Sequence, residues 1–462
     1  MTLEARRIAE EAFYEGVRQL QGGDAARAID CFRSALAGQP DFAEANANLG
    51  LLLEGNGDLP GAEECYRRAI RTDPESFEVR LNLGALLAER KEFAAAERLY
   101  REAVLLRPAS ASPWSNLGVL YACQHREIEA EQCFRTAIDL DESYGRARFN
   151  LAYVLLRQGR FAEGWRCLEY REWRSPRVAE LSCPRWQGES LQGKDILVGC
   201  EAGIGDMIQF SRYADSLKEL GARRVSMLCH PQLLRLLRGL AAIDELIALD
   251  QPLPEQPWDY WTPLLSIPRL CGTTLDSIPA PIPYLRASGE RTAEWRQILA
   301  RRGFRVGLVW KGNPRFENDA DRSLPSLAVL APLATVAGVQ FVGLQKGAGE
   351  GDTCLAAALP PIANLGPDLR DFADTADLLA ELDLLISVDT AVVHLAGAMG
   401  KPCWLLLPAY KADWRWLKER ADSPWYPKGM RLFRQEAGAD WNPLVANVAA
   451  ALQSLVDQSP SD

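Results

Sequence analysis

Along the first third of the chain, small, aromatic and apolar residues return with a period of 34. Small residues stand at Ala28, Ala62, Ala96 and Ala130, and aromatics at Phe32, Tyr66, Tyr100 and Phe134. Alanines follow at Ala35, Ala69, Ala103 and Ala137. Steps of four and then three residues put each set on one face of a helix. A second motif, Asn48-Leu49-Gly50, recurs at Asn82, Asn116 and Asn150, with Ala152 in the last glycine position. Pro40, Pro74 and Pro108 close successive periods, since proline cannot continue a helix interior. The pattern predicts paired helices: Gly50 and Ala62 allow close approach, and Tyr66 fills the space beyond. In the last period Glu142 replaces proline, Gly164 the small residue and Arg171 the alanine. Such decay is expected of a capping repeat that hands over to another domain.

From residue 195 the pattern changes to short apolar runs without alternation, separated by helical stretches. The runs are Asp195 to Cys200, Val225 to Cys229, Leu246 to Leu249, Val306 to Trp310, Gln340 to Gln345, Leu384 to Asp389 and Cys403 to Leu407. Unalternated runs predict parallel strands covered on both faces. Helices are expected over Met207 to Leu220, Arg291 to Arg301, Ala391 to Met399 and Asn442 to Val456, and a short strand and helix within the proline-rich Gln251 to Tyr284. Two consecutive series of alternating strand and helix predict two parallel-sheet domains facing a cleft. The expected fold is an α-superhelical repeat array followed by an α/β region. Its expected parts are a repeat domain over 1–174, a linker over 175–194, and α/β domains over 195–302 and 303–462. Trp165, Trp173 and Trp186 make the stretch Trp165 to Gln187 a packed joint rather than a solvated tether.

The pivotal stretch is Leu384 to Pro402, where an apolar strand meets Asp389-Thr390 and then a helix of small residues. Ligands of such sheets sit beyond the strands' carboxyl ends, where helix N-termini expose unpaired N–H groups. Asp389, Thr390 and the amides after them fit a phosphate receptor, or an ordinary turn with Thr390 as N-cap.

Composition narrows the partners. A net charge of −10 disfavours nucleic acid and anionic membranes. The charged N-terminus carries no secretory signal, and no run approaches a membrane span, so a cytoplasmic protein without integral membrane association is expected. The 11 cysteines include no CxxC pair and read as reduced core thiols, with no zinc site. A dinucleotide fingerprint fails at Gly203-Ile204-Gly205, because Ile208 stands where the third glycine belongs, and no phosphate-binding GxxxxGK[ST] loop occurs.

The 34-residue helix-turn-helix columns resemble the tetratricopeptide repeat over about Ala9 to Arg174. The resemblance implies a concave, peptide-binding groove in which Asn48, Asn82, Asn116 and Asn150 lie one above another. Each amide can both donate to and accept from a peptide backbone; asparagine at this column also serves local packing. Gly205-Asp206 after the first strand, Val306 to Asn313 (VGLVWKGN) and Asp389-Thr390 with His394 (DTAVVH) resemble GT-B glycosyltransferases of the heptosyltransferase-like family 9, over about Asp195 to Val456. The fusion also resembles bacterial flagellin-type protein glycosyltransferases, which implies a polypeptide acceptor.

The resemblance implies Asp206 as the base that takes the acceptor's proton; its alternative is a helix cap. Lys311 and Arg322 would hold the leaving diphosphate, with the amides of Gly312 and Asn313, and Arg322-Ser323 closing the loop. Gln345 and Lys346 would border the nucleoside. Asp389, Thr390 and His394 would complete the phosphate or ribose site. Trp414 and Trp416 would stack on a base or sugar, or else pack in the core. Asp319-Ala320-Asp321 matches a metal-holding DxD motif only formally, and no metal is expected, because Lys, Arg and helix dipoles do its work in this class. No cofactor is expected beyond a nucleotide sugar as co-substrate. The sequence thus points to an inverting, metal-independent glycosyltransferase acting on a polypeptide recruited by the repeats, and it leaves homo-oligomerisation open. A glycan acceptor with the repeats used for assembly, or a repeat adaptor with a decayed enzyme module, are the alternatives.

Overall fold

The computed structural model of the chain describes residues 3–171, 177–254, 257–279, 281–299, 303–316, 318–352 and 362–458. Trp173, Arg174 and Pro176 of the expected joint, and the end of the helix expected to reach Arg301, lie outside the described residues. Two compact units form, Met1–Val154 and Leu155–Asp462.

The first unit is helical throughout its elements, from Leu3–Gln21 through Ala43–Gly55 and Leu59–Thr72 to Glu127–Leu140. Its periodic columns pack as their chemistry dictates. A Cβ on Gly50 would lie 2.7 Å from the Tyr66 ring, one on Gly84 2.5 Å from Tyr100, and one on Gly118 2.6 Å from Phe134. Glycine is required there because the aromatic of the second helix occupies the space of any side chain. Gly16 meets Phe32 in the same way at 2.7 Å, so the column extends one period earlier than the asparagine motif. Successive pairs are linked by charge: Glu97 receives the Tyr121 hydroxyl at 2.9 Å and Arg126 at 3.2 Å, and Arg107 reaches Glu78 at 2.8 Å. Asn48, Asn82, Asn116 and Asn150 are half-buried, and the Tyr66 hydroxyl donates to Glu54 at 2.6 Å.

The second unit holds two all-parallel sheets. The first has the order β3-β2-β1-β4, with β1 Asp195–Gly199, β2 Arg224–Cys229, β3 Glu245–Ala248 and β4 Tyr260–Pro263. The second has the order β10-β9-β8-β5-β6-β7, with β5 Phe304–Val309, β6 Val339–Gly343, β7 Ala363–Asn364, β8 Leu384–Val388, β9 Cys403–Leu407 and β10 Met430–Arg434. β1, β8 and β9 are buried along their whole length, as their unalternated sequences predict. β7 and β10 escape the sequence pattern, one because it is two residues long and the other because arginines interrupt it. The helix expected over Met207 to Leu220 is two helices, Ile204–Phe210 and Tyr213–Glu219. At the break, Ser211 Oγ and Arg212 Nε take the carbonyls of Ile208 and Gln209, at 2.9 and 2.8 Å. Side chains that bond back to the helix in this way compete with its ladder.

The boundary between the units falls inside the helix Gly145–Arg157, well before the expected residue 174. The reason is the next helix, Phe161–Leu168, which packs into the second unit. Trp165 donates to the Thr273 carbonyl at 2.9 Å and stands edge-on to Trp414 at 5.3 Å, and Phe161 stacks on Trp425 at 5.8 Å. Arg171, the residue that breaks the alanine column, is buried and grips Glu201 through two nitrogens at 3.1 and 2.7 Å. The described part of the joint is packed as well: Trp186 is buried and donates its amide to Trp261 of β4 at 2.8 Å.

The two sheets are tied by a buried carboxylate. Asp374, in the helix Phe372–Ala380, receives Arg235 at 3.1 Å, Arg291 at 3.0 Å and Arg370 at 2.7 Å. Burial alone would raise its pKa, but the Arg370 side chain and amide, with Arg235 and Arg291, outweigh it and hold the carboxyl well below the usual carboxylate range. A depressed folded-state pKa contributes stability that is present above the ordinary carboxylate value and lost as pH falls through the folded value. Urea unfolding between pH 7 and pH 3 is expected to show Asp374→Asn less stable than wild type at pH 7. The gap should narrow as the solution is acidified. A gap that stays constant with pH would refute this role.

Candidate active site

Two strand-to-helix turns, one from each sheet, meet at this site. Beyond β1 the chain turns through Ala202 with φ of 62° and enters the helix Ile204–Phe210, in whose first turn Asp206 stands. Asp206 Oδ2 accepts the amide of Gly203 at 2.8 Å, so the carboxylate ties down the start of its own helix. Beyond β8 the chain turns through Asp389-Thr390 into the helix Ala391–Ala398. A Cβ on Gly205 would lie 2.8 Å from His394 Cδ2 and 3.5 Å from the Ala391 Cα. The absence of a side chain at residue 205 is what lets the two helices touch.

Arg415 joins the two turns. Its guanidinium pairs with Asp206 Oδ1, holds both Asp413 oxygens at 3.0 Å, and donates Nε to Gln209 Oε1 at 2.7 Å. The next residue, Trp416, donates its indole N–H to Asp389 Oδ2 at 2.8 Å and stacks on the His394 ring at 5.3 Å. Asp206 and Asp389 thus sit at the two ends of the dipeptide Arg415-Trp416. Burial and the charge of Asp413 raise the Asp389 pKa, against the Trp416 hydrogen bond and the charges of Arg322 and Arg415. Burial, with the neighbouring Arg415 and Arg212 charges, pushes the His394 pKa well down, so the imidazole is neutral at pH 7. Thr390 occupies the N-cap position, but its hydroxyl makes no cap bond and lies 3.3 Å from Ser387 Oγ.

The loop after β5 brings further expected residues to the same side. Arg322 lies against Gly312, where a Cβ would come within 2.6 Å of Nη2, and its charge acts on Asp389. Lys311 Nζ pairs with Asp352 at 3.2 Å, its side chain still partly exposed. Ser323 Oγ receives the Gly312 amide at 2.8 Å, and Asn313 Oδ1 the Arg315 amide at 3.1 Å, so both shape the loop. Asp319 of the DxD match is engaged by Ser323 at 3.0 Å and Arg322 at 3.2 Å.

Three expectations change. Gln345 is buried, its Oε1 accepting the Trp310 and Lys311 amides and its Nε2 reaching the Ala348 carbonyl at 2.8 Å, so it braces two loops rather than bordering a nucleoside. Lys346 points to the Gly366 and Pro367 carbonyls at 3.4 and 3.5 Å. Trp414 and Trp416 are both buried and take the core alternative, with no face left for a base or sugar. The site also contains residues that sequence reasoning passed over: Arg415, Arg212, Tyr284 and Tyr426. The one signal for Arg415 was its setting, Asp413-Trp414-Arg415-Trp416, a charge framed by tryptophans.

The family comparisons agree with this division of the chain. The tetratricopeptide repeat matches residues 15–70, 53–113 and 129–164. Glycosyltransferase family 9 (heptosyltransferase) matches residues 337–406, which include β8 and the Asp389-Thr390-His394 turn. The chain joins tetratricopeptide repeats to a family 9 glycosyltransferase domain. It is 28% identical over 340 residues to Protein FlbA of Caulobacter vibrioides, an alignment covering 68% of this chain and 56% of that protein. The chain therefore spans little more than half the length of that curated relative. Among solved structures it is similar to MamA from Desulfovibrio magneticus, at 19% identity and TM-score 0.33, over 35% of this chain and 91% of that one. It is also similar to pilF of Pseudomonas aeruginosa, at 22% identity and TM-score 0.33, over 36% and 76%. Among the described residues, no helix of this repeat–glycosyltransferase chain is long and apolar enough to cross a membrane.

Proposed function

We propose that the chain is an inverting glycosyltransferase of GT-B arrangement, moving a sugar from a nucleotide donor to a polypeptide gathered by its repeats. The observation that carries the proposal is the convergence of Asp206 and the Asp389-Thr390-His394 turn, from separate sheets, through Arg415 and Trp416. Residues 195–302 would form the acceptor side and residues 303–462 the donor side. The acceptor hydroxyl attacks the anomeric carbon and gives its proton to the Asp206 carboxylate as the new C–O bond forms. The bond from that carbon to the diphosphate oxygen breaks, and the nucleoside diphosphate leaves with the electron pair. Lys311, Arg322 and the first-turn amides after Thr390 would stabilise that charge, with no metal required. Arg415 holds Asp206 in the unliganded chain; a diphosphate competing for the guanidinium would free the carboxylate to act as base. The half-buried asparagine column supports a peptide acceptor, because its amides can serve a backbone of any sequence. We place the protein in the cytoplasm, where nucleotide sugars are available to it.

Thermal-shift measurements against UDP, GDP, ADP, CMP and TDP test the donor site. The cognate nucleotide is expected to raise Tm progressively with concentration, following its occupancy. If all five leave Tm unchanged at millimolar concentration, the donor assignment is wrong.

A further inference from the structure

Most cations beyond the carboxyl ends of the second sheet are already matched by a carboxylate. Lys311, after β5, pairs with Asp352 at 3.2 Å, and Arg322, in the same loop, with Asp319 at 3.2 Å. Arg415 pairs with Asp206 and Asp413. Lys411, in the loop after β9, is different. It is half-buried, and among the described residues no carboxylate lies within ion-pair distance of it. Its ammonium faces only the ring of Tyr410, 5.3 Å from the centroid. Its backbone is strained as well: φ is 50°, in the left-handed region, where a Cβ crowds the main chain and glycine or asparagine fits best. Asn318, itself buried, holds that turn by donating Nδ2 to the Lys411 carbonyl at 2.9 Å. Asn318 stands four residues before Arg322, so the loops after β5 and β9 are joined close to where each carries a cation. Between β5 and β9 lies β8, which ends at Asp389-Thr390. Lys411 therefore flanks that turn on one side, and Lys311 and Arg322 flank it on the other.

We propose that Lys411 is a donor-binding residue whose ammonium takes a phosphate oxygen of the nucleotide from the β9 side, across the Asp389-Thr390 turn from Lys311 and Arg322. The assignment rests on the donor reading above. A half-buried ammonium without a counter-charge and a lysine in the left-handed region each cost the ligand-free chain stability. An oxyanion supplies the partner that the chain itself withholds. Lys311 and Arg322 must exchange a carboxylate for the phosphate, whereas Lys411 has no ion pair to break, so its charge is fully available to the ligand. The turn held by Asn318 also fixes where the side chain leaves the main chain, and less ordering is left for the moment of binding.

Calorimetric titration of the full chain with whichever of UDP, GDP, ADP, CMP or TDP raises Tm tests the assignment, in wild type, Lys411→Asn, Lys411→Gly and Lys411→Arg. Asparagine and glycine accept the left-handed turn and keep the carbonyl that Asn318 uses, so neither should lower the ligand-free Tm. Both should weaken nucleotide binding about tenfold, the loss of one hydrogen bond from a charged group. Lys411→Arg keeps the charge and should bind within a few-fold of wild type. The gap between wild type and Lys411→Asn should narrow as salt is added, because what was removed is a charge. Equal affinity in wild type and Lys411→Asn overturns the assignment and leaves the donor reading intact. A ligand-free Tm lowered in both Lys411→Asn and Lys411→Gly makes Lys411 a residue of the fold, and also overturns it. If none of the five nucleotides binds wild type, the donor reading falls and this assignment falls with it.

Discussion

Asp206→Asn is expected to lower the rate of sugar transfer by about 10²–10⁴-fold, the range a positioned general base contributes. The substitution isolates the proton acceptor, because an asparagine oxygen can still receive the Gly203 amide that Asp206 now receives at 2.8 Å. Arg415 keeps its bonds to Asp413 and Gln209, so the bridge to Trp416 and Asp389 should survive. Nucleotide binding measured by thermal shift should persist in the variant, since its loss falls on chemistry rather than on the donor. Turnover within a few-fold of wild type would move the proton to another group. Loss of both turnover and nucleotide binding would instead mean that the Asp206–Arg415 pair holds the site together.

The second large effect lies away from the chemistry. Arg171→Met is expected to destabilise the second unit by about 3–5 kcal/mol, because Glu201 would remain charged, buried and without its guanidinium. Glu201 also accepts the Leu265 amide at 2.7 Å, and Arg171 donates to Ser266 Oγ at 2.9 Å, so the pair holds the end of β1 against the 264–266 turn. The double substitution Arg171→Met with Glu201→Gln removes both charges and keeps an acceptor for Leu265. It should cost less than Arg171→Met alone, as urea midpoints would show. Equal or greater loss in the double variant would mean that the arginine's packing, not its charge pair, holds the turn. Glu201 precedes Asp206 by one short turn, so Arg171→Met should also reduce activity.

Much of this was legible in the chain. The 34-residue columns announced the repeats because a helix pair repeats its contacts: every Gly50-type position must meet a Tyr66-type ring. The unalternated runs announced parallel strands because both faces of such sheets are covered, and the turn Asp389-Thr390 declared itself by lying between two of them. Residues whose roles depend on a single distant contact were less readable. Arg171 read as decay of a repeat column, yet it is the partner of Glu201. Gln345 read as a site residue because it follows a strand, yet its amide braces the backbone of two loops. Tyr426 carried no periodicity or motif, and Arg415 only its setting between two tryptophans.

By itself the sequence determined the local and the periodic: which stretches are helix or strand, the repeat register, and which two turns carry acidic and small residues fit for a site. Such features depend on residues a few positions apart, where spacing alone sets which side chains share a face. Tertiary structure decided the pairings between distant segments: Asp206 with Arg415, Asp389 with Trp416, His394 with Tyr426, and Phe161–Leu168 with the second unit rather than the array. Several of those contacts join residues more than two hundred positions apart, and burial sets their energies. A single sequence carries no spacing rule for either.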